Sequence, residues 1–181
     1  MTRAAARHGL GLGWGLVLGL VPEAWASPAQ GWLIPASLPQ PGDVYLSGGL
    51  LLNGGTSLGL GAELSLHYFL LGEQPLSGVG LFGQWQAING EHRRVCLGAQ
   101  GTFVYVGAEL GVAQESGGIR GARTTSVHVA PFIALGLVVA GVRVGVPVAT
   151  RPGDRPGYGV DVGLTLALKL PVPVYKNPDN L

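Results

Sequence analysis

A strict alternation of apolar and polar residues constrains the fold of this chain more than any other feature. In the segment TSLGLGAELSLHYFLL, residues 56–71, every second residue from Leu58 onward is apolar. The alternate positions from 57 to 67 hold Ser57, Gly59, Gly61, Glu63, Ser65 and His67. A period of two is the signature of a β-strand with two unlike faces, and no segment after residue 42 has the period of a helix. The chain is therefore predicted to be all-β.

Eight alternating segments follow one another after residue 42, and they are unusually long. Their predicted bounds are 43–53, 56–71, 76–88, 91–99, 102–113, 124–136, 138–149 and 157–170. Strands of globular proteins are most often about five or six residues long. A tilted strand that crosses a membrane needs about 9–11 residues. The lengths indicate strands that are able to span a bilayer.

The two faces of the predicted strands differ in composition. One face is apolar in every strand and carries no charge in its central part, as Val106, Leu110 and Val112 illustrate. The other face is mostly Gly, Ala, Ser and Thr, and only 12% of the chain is charged, against roughly 25% in soluble domains. The charged residues on this second face are Glu63, Arg94, Glu109, Arg143, Asp161 and Lys169. Small residues with balanced charges fit a narrow interior, and an uncharged aliphatic face fits lipid.

The start of the chain has the pattern of a secretory signal. Arg3 and Arg7 precede a short apolar run at 10–20, and a small-x-small motif ends at Ala26. The apolar run is shorter than the roughly 20 residues that a membrane-spanning helix needs. The predicted organisation is a signal peptide over 1–26 with cleavage near Ala26, a Pro-rich extended lead-in over 27–42, a barrel over 43–170 and a C-terminal extension over 171–181.

Strands cross a membrane without unsatisfied edges only as a closed barrel. The predicted connections at 72–75, at 100–101 and near Leu137 are tight, and those at 114–123 and 150–156 on the opposite side are longer. Short inner turns and longer outer loops are typical of outer-membrane barrels. The predicted fold is thus an eight-stranded antiparallel up-and-down transmembrane β-barrel. Its predicted aromatic girdle residues are Tyr68, Trp85 and Tyr158.

Connection lengths also predict which strand residues face each other. In a hairpin, the numbers of directly opposed residues have a constant sum. The connection after the fifth strand places Glu109 opposite His128. The last connection places Arg143 close to Asp161.

The same reasoning predicts a row of polar residues across three adjacent strands. The second connection pairs Glu63 with Gln84. A two-residue turn at 89–90 would direct Arg94 toward lipid, so a three-residue loop over 88–90, which pairs Arg94 with Gln84, is preferred. The predicted interior charge network comprises Glu63, Gln84, Arg94, Glu109, His128, Arg143, Asp161 and Lys169.

In its alternation, strand lengths and connections, the chain resembles small bacterial outer-membrane β-barrels of the OmpA-like and OmpX-like type over about residues 43–170. Such barrels usually end on an aromatic residue in the last strand. This chain continues through PVPVYKNPDNL, where Tyr175 is the candidate aromatic and Pro171 and Pro173 are expected to interrupt strand pairing. The resemblance implies an outer-membrane location, with membrane lipid and lipopolysaccharide as partners.

The interior charges have two interpretations. Buried ions require partners, so a paired network would fill the lumen and fix the register. Alternatively, the charges would line a narrow pore or a proton path. An eight-stranded barrel is just wide enough for side chains to fill. This favours a closed lumen and a structural, adhesive or loop-scaffolding role, with a narrow pore as the alternative.

A lipid-modifying enzyme is the second alternative, since some small outer-membrane barrels are lipid A deacylases or acyltransferases. Ser126 and His128 share one face of the sixth strand, and Glu109 is able to orient the histidine. Deacylases of this type have a His-x-Ser order, whereas this chain has Ser-x-His. The two side chains also face the lumen, away from lipid. Catalysis is therefore not predicted.

The remaining candidate groups predict no cofactor and no metal. Cys96 is the single cysteine, which excludes a multi-cysteine metal site, and His67 is expected to be an interior residue. Arg120 and Arg123 form a basic outer loop that is expected to be solvated, with contact to lipopolysaccharide phosphates or to a protein partner as the alternatives. The net charge of +1 gives no indication of nucleic-acid binding.

Overall fold

The structure, a computed structural model, describes residues 39–70, 77–118, 121–151 and 155–178. The predicted signal peptide and most of the predicted lead-in lie outside the described residues, as does Arg120. The strands are β1 Val44–Gly55, β2 Gly59–Phe69, β3 Ser77–Ile88, β4 His92–Phe103, β5 Val106–Glu115, β6 Thr124–Leu135, β7 Val138–Thr150 and β8 Asp161–Tyr175.

The eight strands form a closed antiparallel barrel. Each strand pairs with the next in sequence, and β8 pairs with β1. The prediction of an all-β, eight-stranded, up-and-down barrel is confirmed. No helix in the described part of the chain is both long and apolar enough to cross a membrane.

The two ends of the barrel differ in their connections. At one end, here called the loop end, lie the connections β1–β2, β3–β4, β5–β6 and β7–β8. At the other, here called the turn end, two-residue turns join β4 to β5 at 104–105 and β6 to β7 at 136–137. The described residues that precede β1, 39–43, and those that follow β8, 176–178, also lie at the turn end.

Side chains alternate between the two faces of the barrel wall, as the period of two predicts. Outward aliphatic side chains such as Leu97 and Leu164 are exposed, at 65% and 67%. Inward glycines make room for large neighbours: a Cβ on Gly107 would overlap the ring of Phe132, its neighbour on β6. Pairs of a large and a small residue therefore help to fill the lumen.

The predicted turn at 100–101 is wrong. β4 continues to Phe103, and the chain turns at Val104 and Tyr105, with Val104 in the left-handed region at φ 56°. Gln100 is instead an interior strand residue, and its Nε2 lies 2.8 Å from His67 Nε2. The Gln-Gly pair had the composition of a turn, but the side chain of Gln100 has a hydrogen-bonding partner across the lumen.

The predicted limits of the last strand are also wrong. β8 begins at Asp161 instead of 157 and runs through both prolines to Tyr175, so part of the predicted extension belongs to the barrel. The amide of Lys169 points toward the β7 side, where it donates to Leu137 O. Pro171 and Pro173 have the same orientation, but β7 begins only at Val138, so their missing N–H groups remove no bond between strands.

Register differs from prediction by two residues in two hairpins. The β3–β4 connection has three residues, as predicted, but they are 89–91, so Gln86 and not Gln84 faces Arg94. In the β5–β6 hairpin, Gly111 and not Glu109 faces His128. The predicted pairing of Glu63 with Gln84 is observed. Each shift is even, so every side chain keeps its predicted face.

Candidate functional site in the charged barrel interior

The interior polar side chains form three groups along the barrel axis. The loop-end cluster contains His92, Arg94, Glu115, Arg143 and Asp161. The central cluster contains Glu63, Gln84, Glu109, His128 and Lys169. The terminal clasp, at the turn end, contains Asp43, Tyr45, Lys176 and Asn177. Each cluster joins strands that are not sequence neighbours.

Arg94 is the centre of the loop-end cluster. Its Nε and Nη2 donate to Glu115 Oε1 at 2.9 and 2.6 Å, and its Nη2 also donates to Asp161 Oδ2 at 2.8 Å. Arg143 Nη2 contacts the same Asp161 oxygen. Thr56 Oγ1 donates to Asp161 Oδ1 at 2.5 Å. Two arginines and two carboxylates therefore balance one another in formal charge.

His92 and Tyr158 close the loop-end cluster toward the connections. Their rings stack with centroids 4.3 Å apart, and His92 Nε2 lies 3.4 Å from Glu115 Oε2. A Cβ on Gly121 would lie 2.9 Å from the Tyr158 ring, so glycine is needed for this packing. Burial raises the pKa of the Tyr158 phenol. Tyr158 thus packs on an interior histidine instead of lying at the lipid interface predicted for it.

A cavity of about 230 Å³ lies at the loop end beside this cluster. Its lining includes Thr56, Asn89, Arg94, Glu115 and Asp161. Two hydrogen bonds hold the connections beside it: Ala122 N donates to Pro156 O, and Tyr158 N donates to the side-chain Oγ1 of Thr124 at 3.0 Å. Hydrogen bonds thus hold the β5–β6 and β7–β8 connections together.

Lys169 lies between two carboxylates in the central cluster. Its Nζ is 2.5 Å from Glu63 Oε1 and 3.8 Å from Glu109 Oε1. Gln84 Nε2 donates to Glu63 Oε2 at 3.2 Å and to Glu109 Oε2 at 3.0 Å. His128 Nε2 lies 3.2 Å from Glu109 Oε2. All four of these charged or histidine side chains have their partners inside the barrel.

Neutral amides extend the central cluster toward the loop end. Gln86 Nε2 donates to Gln84 Oε1 at 3.3 Å, and Asn53 Nδ2 donates to Gln86 Oε1 at 2.5 Å. Thr165 Oγ1 donates to Asn53 Oδ1 at 2.7 Å. These bonds link β8, β1 and β3 through side chains alone. These buried amides are hydrogen-bonded to one another, as a water-poor interior requires.

The terminal clasp joins the residue just before β1 to the residues just after β8, at the turn end of the closing β1–β8 pair. Lys176 Nζ donates to Asp43 Oδ2 at 2.9 Å and to Tyr45 Oη at 2.8 Å. Asn177 N donates to Asp43 Oδ1 at 3.0 Å, and Gln40 N donates to Asp43 Oδ2 at 3.1 Å. The clasp ties the last described residues to the start of β1.

Sequence reasoning missed several interior residues. Glu115 was assigned to the loop 114–123, but β5 extends to Glu115, and its side chain is 4% exposed. His92, Asn53 and Gln86 were also missed, although their parity on the strands places them inward. Continuing the alternation to the strand ends would have identified all four.

The other predicted residues lie on the outer surface or in the filled lumen. Trp85 and Tyr68 face outward at 47% and 39% exposure. The side chain of Arg123 is exposed. Ser126 and His128 are both buried. Within the described residues, no group of three or more His, Cys, Asp or Glu side chains is placed to hold a metal ion.

The fold and its interior define a closed eight-stranded β-barrel with a charged, hydrogen-bonded lumen. A solved structure described as "De novo design of transmembrane beta-barrels" aligns with 75% of this chain and 100% of its own, at a TM-score of 0.40 and 8% sequence identity. No family model matches the chain. No curated protein matches it in sequence.

Proposed function

We propose that this protein is an integral outer-membrane β-barrel with a closed lumen, and that its role is structural or adhesive, as a scaffold for the loop-end connections. One observation carries the proposal. Apart from Arg93 at the loop end of β4, the outer wall of the strands is uncharged and predominantly apolar, while the other charged residues within the strands are paired across the lumen. This is the reverse of the polar exterior that water requires.

The outer wall supports the membrane location. The exposed strand residues include leucines, valines and isoleucine from all eight strands, such as Leu50, Leu64, Leu81, Leu97, Leu110, Ile133, Val142 and Leu166. Soluble monomers seldom expose contiguous apolar patches beyond a few hundred Å². In hydrocarbon, by contrast, such a wall carries no penalty, and the closed barrel leaves no unpaired strand edge.

The ion pairs support a closed lumen. Arg94 on β4 reaches Asp161 on β8, and Lys169 on β8 reaches Glu63 on β2 and Glu109 on β5. These contacts cross the space through which an ion would have to pass. Only about 10 Å³ of free volume lies in the cavity beside Lys169, Glu63 and Glu109, roughly one water molecule. The barrel is therefore proposed not to conduct.

The proposal includes no catalysis. Ser126 and His128 lie in the filled lumen, and His128 is held by Glu109 at 3.2 Å. An acyl chain would have to displace the central cluster to reach them. Mass analysis of lipid A from cells with and without the protein is expected to give the same acyl pattern. A changed pattern would establish the lipid-modifying alternative.

The exposed Arg123 is proposed to contact anionic groups of the outer surface, such as lipopolysaccharide phosphates, because a guanidinium binds phosphate through two parallel hydrogen bonds. Substituting Arg123 by Gln is expected to weaken binding of the purified protein to lipopolysaccharide. Arg93, an exposed arginine on the outer face of β4, is the matched control when replaced by Gln.

Two measurements test the main proposal. The protein is expected in the outer-membrane fraction, and the detergent-extracted protein is expected to migrate differently on a gel before and after boiling. Recovery in the aqueous fraction would contradict the membrane location. In planar bilayers, the reconstituted protein is expected to give no steady unit conductance, and a reproducible conductance would establish the pore alternative.

A further inference from the structure

A broad apolar groove of about 880 Å³ lies along the outer wall between β5 and β1. The groove lies between two neighbouring rows of outward residues: one contains Leu164, Val142 and Pro131, and the other is a row of direct pairs across five strands. The row of direct pairs is Leu52, Leu166, Ala140, Ile133 and Val106. Its volume falls within the roughly 300–1,000 Å³ of ligand pockets.

Small residues create the depression in this part of the wall. Ala140 lies between the larger Leu166 and Ile133, and Pro131 occupies the next outward position on β6. The pairing of β6 with β7 omits Pro131, which has no N–H to donate. Gly141 lies so close to Pro131 that a Cβ there would be 2.6 Å from Pro131 O. The wall is thus indented on β6 and β7 toward the turn end.

We propose that this groove binds one acyl chain of a membrane lipid, an inference that rests on the proposed membrane location. The lining includes Leu52, Leu58, Val142, Leu164 and Ile133, and none of its residues is charged. The groove opens onto the aliphatic face, where hydrocarbon chains are the surrounding solvent. An acyl chain gains dispersion contacts in a depression that it cannot gain on a smooth wall.

The groove is wide enough for a single acyl chain but too narrow for a helix of another protein. Outward rows on one face are two residues apart along each strand, which is roughly 7 Å. A helix with its side chains is about 10–12 Å across and does not fit between two such rows. A strand of a second copy has no unpaired edge to join, because the barrel is closed.

Intermolecular NOEs test the proposal directly. The protein, deuterated except at Ile, Leu and Val methyl groups, is placed in phosphatidylcholine nanodiscs. NOEs from lipid acyl methylenes to the methyl groups of Ile133, Val142 and Leu164 are expected to be stronger than those to Leu64 and Leu97, which face outward on β2 and β4.

Two matched variants show whether the excess NOEs arise from lipid in the groove. Ala140→Phe fills the groove and is expected to abolish the excess NOEs at Ile133 and Leu164. Ala99→Phe, an exposed alanine between Leu81 and Leu110 on the opposite wall, is expected to leave them unchanged. Both variants are checked for heat-modifiable migration, so that a folding defect is recognised.

The remaining outcomes overturn the proposal. NOEs of equal strength around an inserted barrel would show that the groove holds no chain preferentially, while the membrane location would stand. NOEs between differently labelled copies at Ile133 would show that a second copy occupies the groove. Failure of the protein to enter nanodiscs would overturn the proposed function itself, and the inference with it.

Discussion

Arg94 Nη2 lies 2.8 Å from Asp161 Oδ2, although the two residues come from opposite walls of the barrel. Arg94 is on β4 and Asp161 on β8, four positions apart in either direction around eight strands. The bridge therefore spans the full width of the lumen. Since Glu115 contacts Arg94 and Arg143 contacts Asp161, one ionic network joins β4, β5, β7 and β8.

Replacing Arg94 by Met is expected to lower the free energy of unfolding by about 3–5 kcal/mol, because two buried carboxylates then share one cation fewer. Arg93→Met is the control, since Arg93 is the exposed neighbour on the same strand. Its effect is expected to stay within about 0.5 kcal/mol. Urea titrations in detergent measure both. Equal midpoints for the two variants would show that the bridge does not stabilise the barrel.

The central cluster is suited to a double-mutant cycle on Lys169 and Glu63, whose charged atoms lie 2.5 Å apart. Lys169→Met is expected to be strongly destabilising, because Glu63 and Glu109 then remain buried without their lysine. Adding Glu63→Gln removes one of these charges, so the double variant is expected to be more stable than Lys169→Met alone. Unfolding energies that simply add would refute a direct interaction between the two residues.

The terminal clasp is expected to make stability depend on pH at both extremes. Although burial acts in the opposite direction, hydrogen bonds from Lys176, Asn177 and Gln40 hold the pKa of Asp43 below its ordinary value. The hydrogen bond that Lys176 donates to Tyr45, and then the one to Asp43, raise the pKa of Lys176 against the effect of burial. The Asp43 contribution is complete above the unfolded pKa of about 3.9 and is lost as pH falls through the lower, folded pKa. The Lys176 contribution is complete below about 10.4 and is lost as pH rises through the higher, folded pKa.

Thermal unfolding of the wild type and Asp43→Asn across acid pH checks the first limb. The wild type is expected to be more stable at neutral pH, and the difference is expected to shrink as pH falls below about 3.9. Lys176→Met tests the alkaline limb in the same way. A difference that stays constant with pH would show that these two ionisations do not stabilise the closing strand pair.

The outward leucines provide a test that depends on depth. Leu97, in the middle of β4, and Leu58, in the β1–β2 connection, are about equally exposed at 65% and 68%. In a membrane, Leu97→Arg is expected to cost about 2–4 kcal/mol, whereas Leu58→Arg near the interface is expected to cost about 0–1 kcal/mol. Unfolding from lipid vesicles measures both. A water-soluble barrel would tolerate the two substitutions alike.

The alternation predicted the features that depend on parity. The face that each side chain occupies follows from the period of two, and the number of strands follows from the count of alternating segments. Closure into a barrel follows from the requirement that strands in a membrane leave no unpaired edge. Register does not, because a shift by two residues keeps every side chain on its face. Gln86 consequently faces Arg94, where the sequence predicted Gln84.

Longer-range features were not predictable from local patterns. Pro171 and Pro173 lie within β8 because the neighbouring strand, β7, does not extend alongside them. The sequence around the prolines carries no information about where β7 begins. The clasp between Asp43 and Lys176 joins residues that are distant in sequence. Its polar residues lie at the barrel end, where alternation has stopped and no periodic signal marks them.

Spin-label accessibility measures directly whether the apolar outer face lies in lipid. In a Cys96→Ser background, labels at Leu97, Val112 and Leu166, three outward positions, are measured in reconstituted vesicles. Collision with oxygen, which concentrates in hydrocarbon, is expected to exceed collision with a water-soluble nickel chelate at all three. A label at Asn89 in the β3–β4 connection is predicted to show the reverse. Nickel collision as frequent at the three outward positions as at Asn89 would contradict the account.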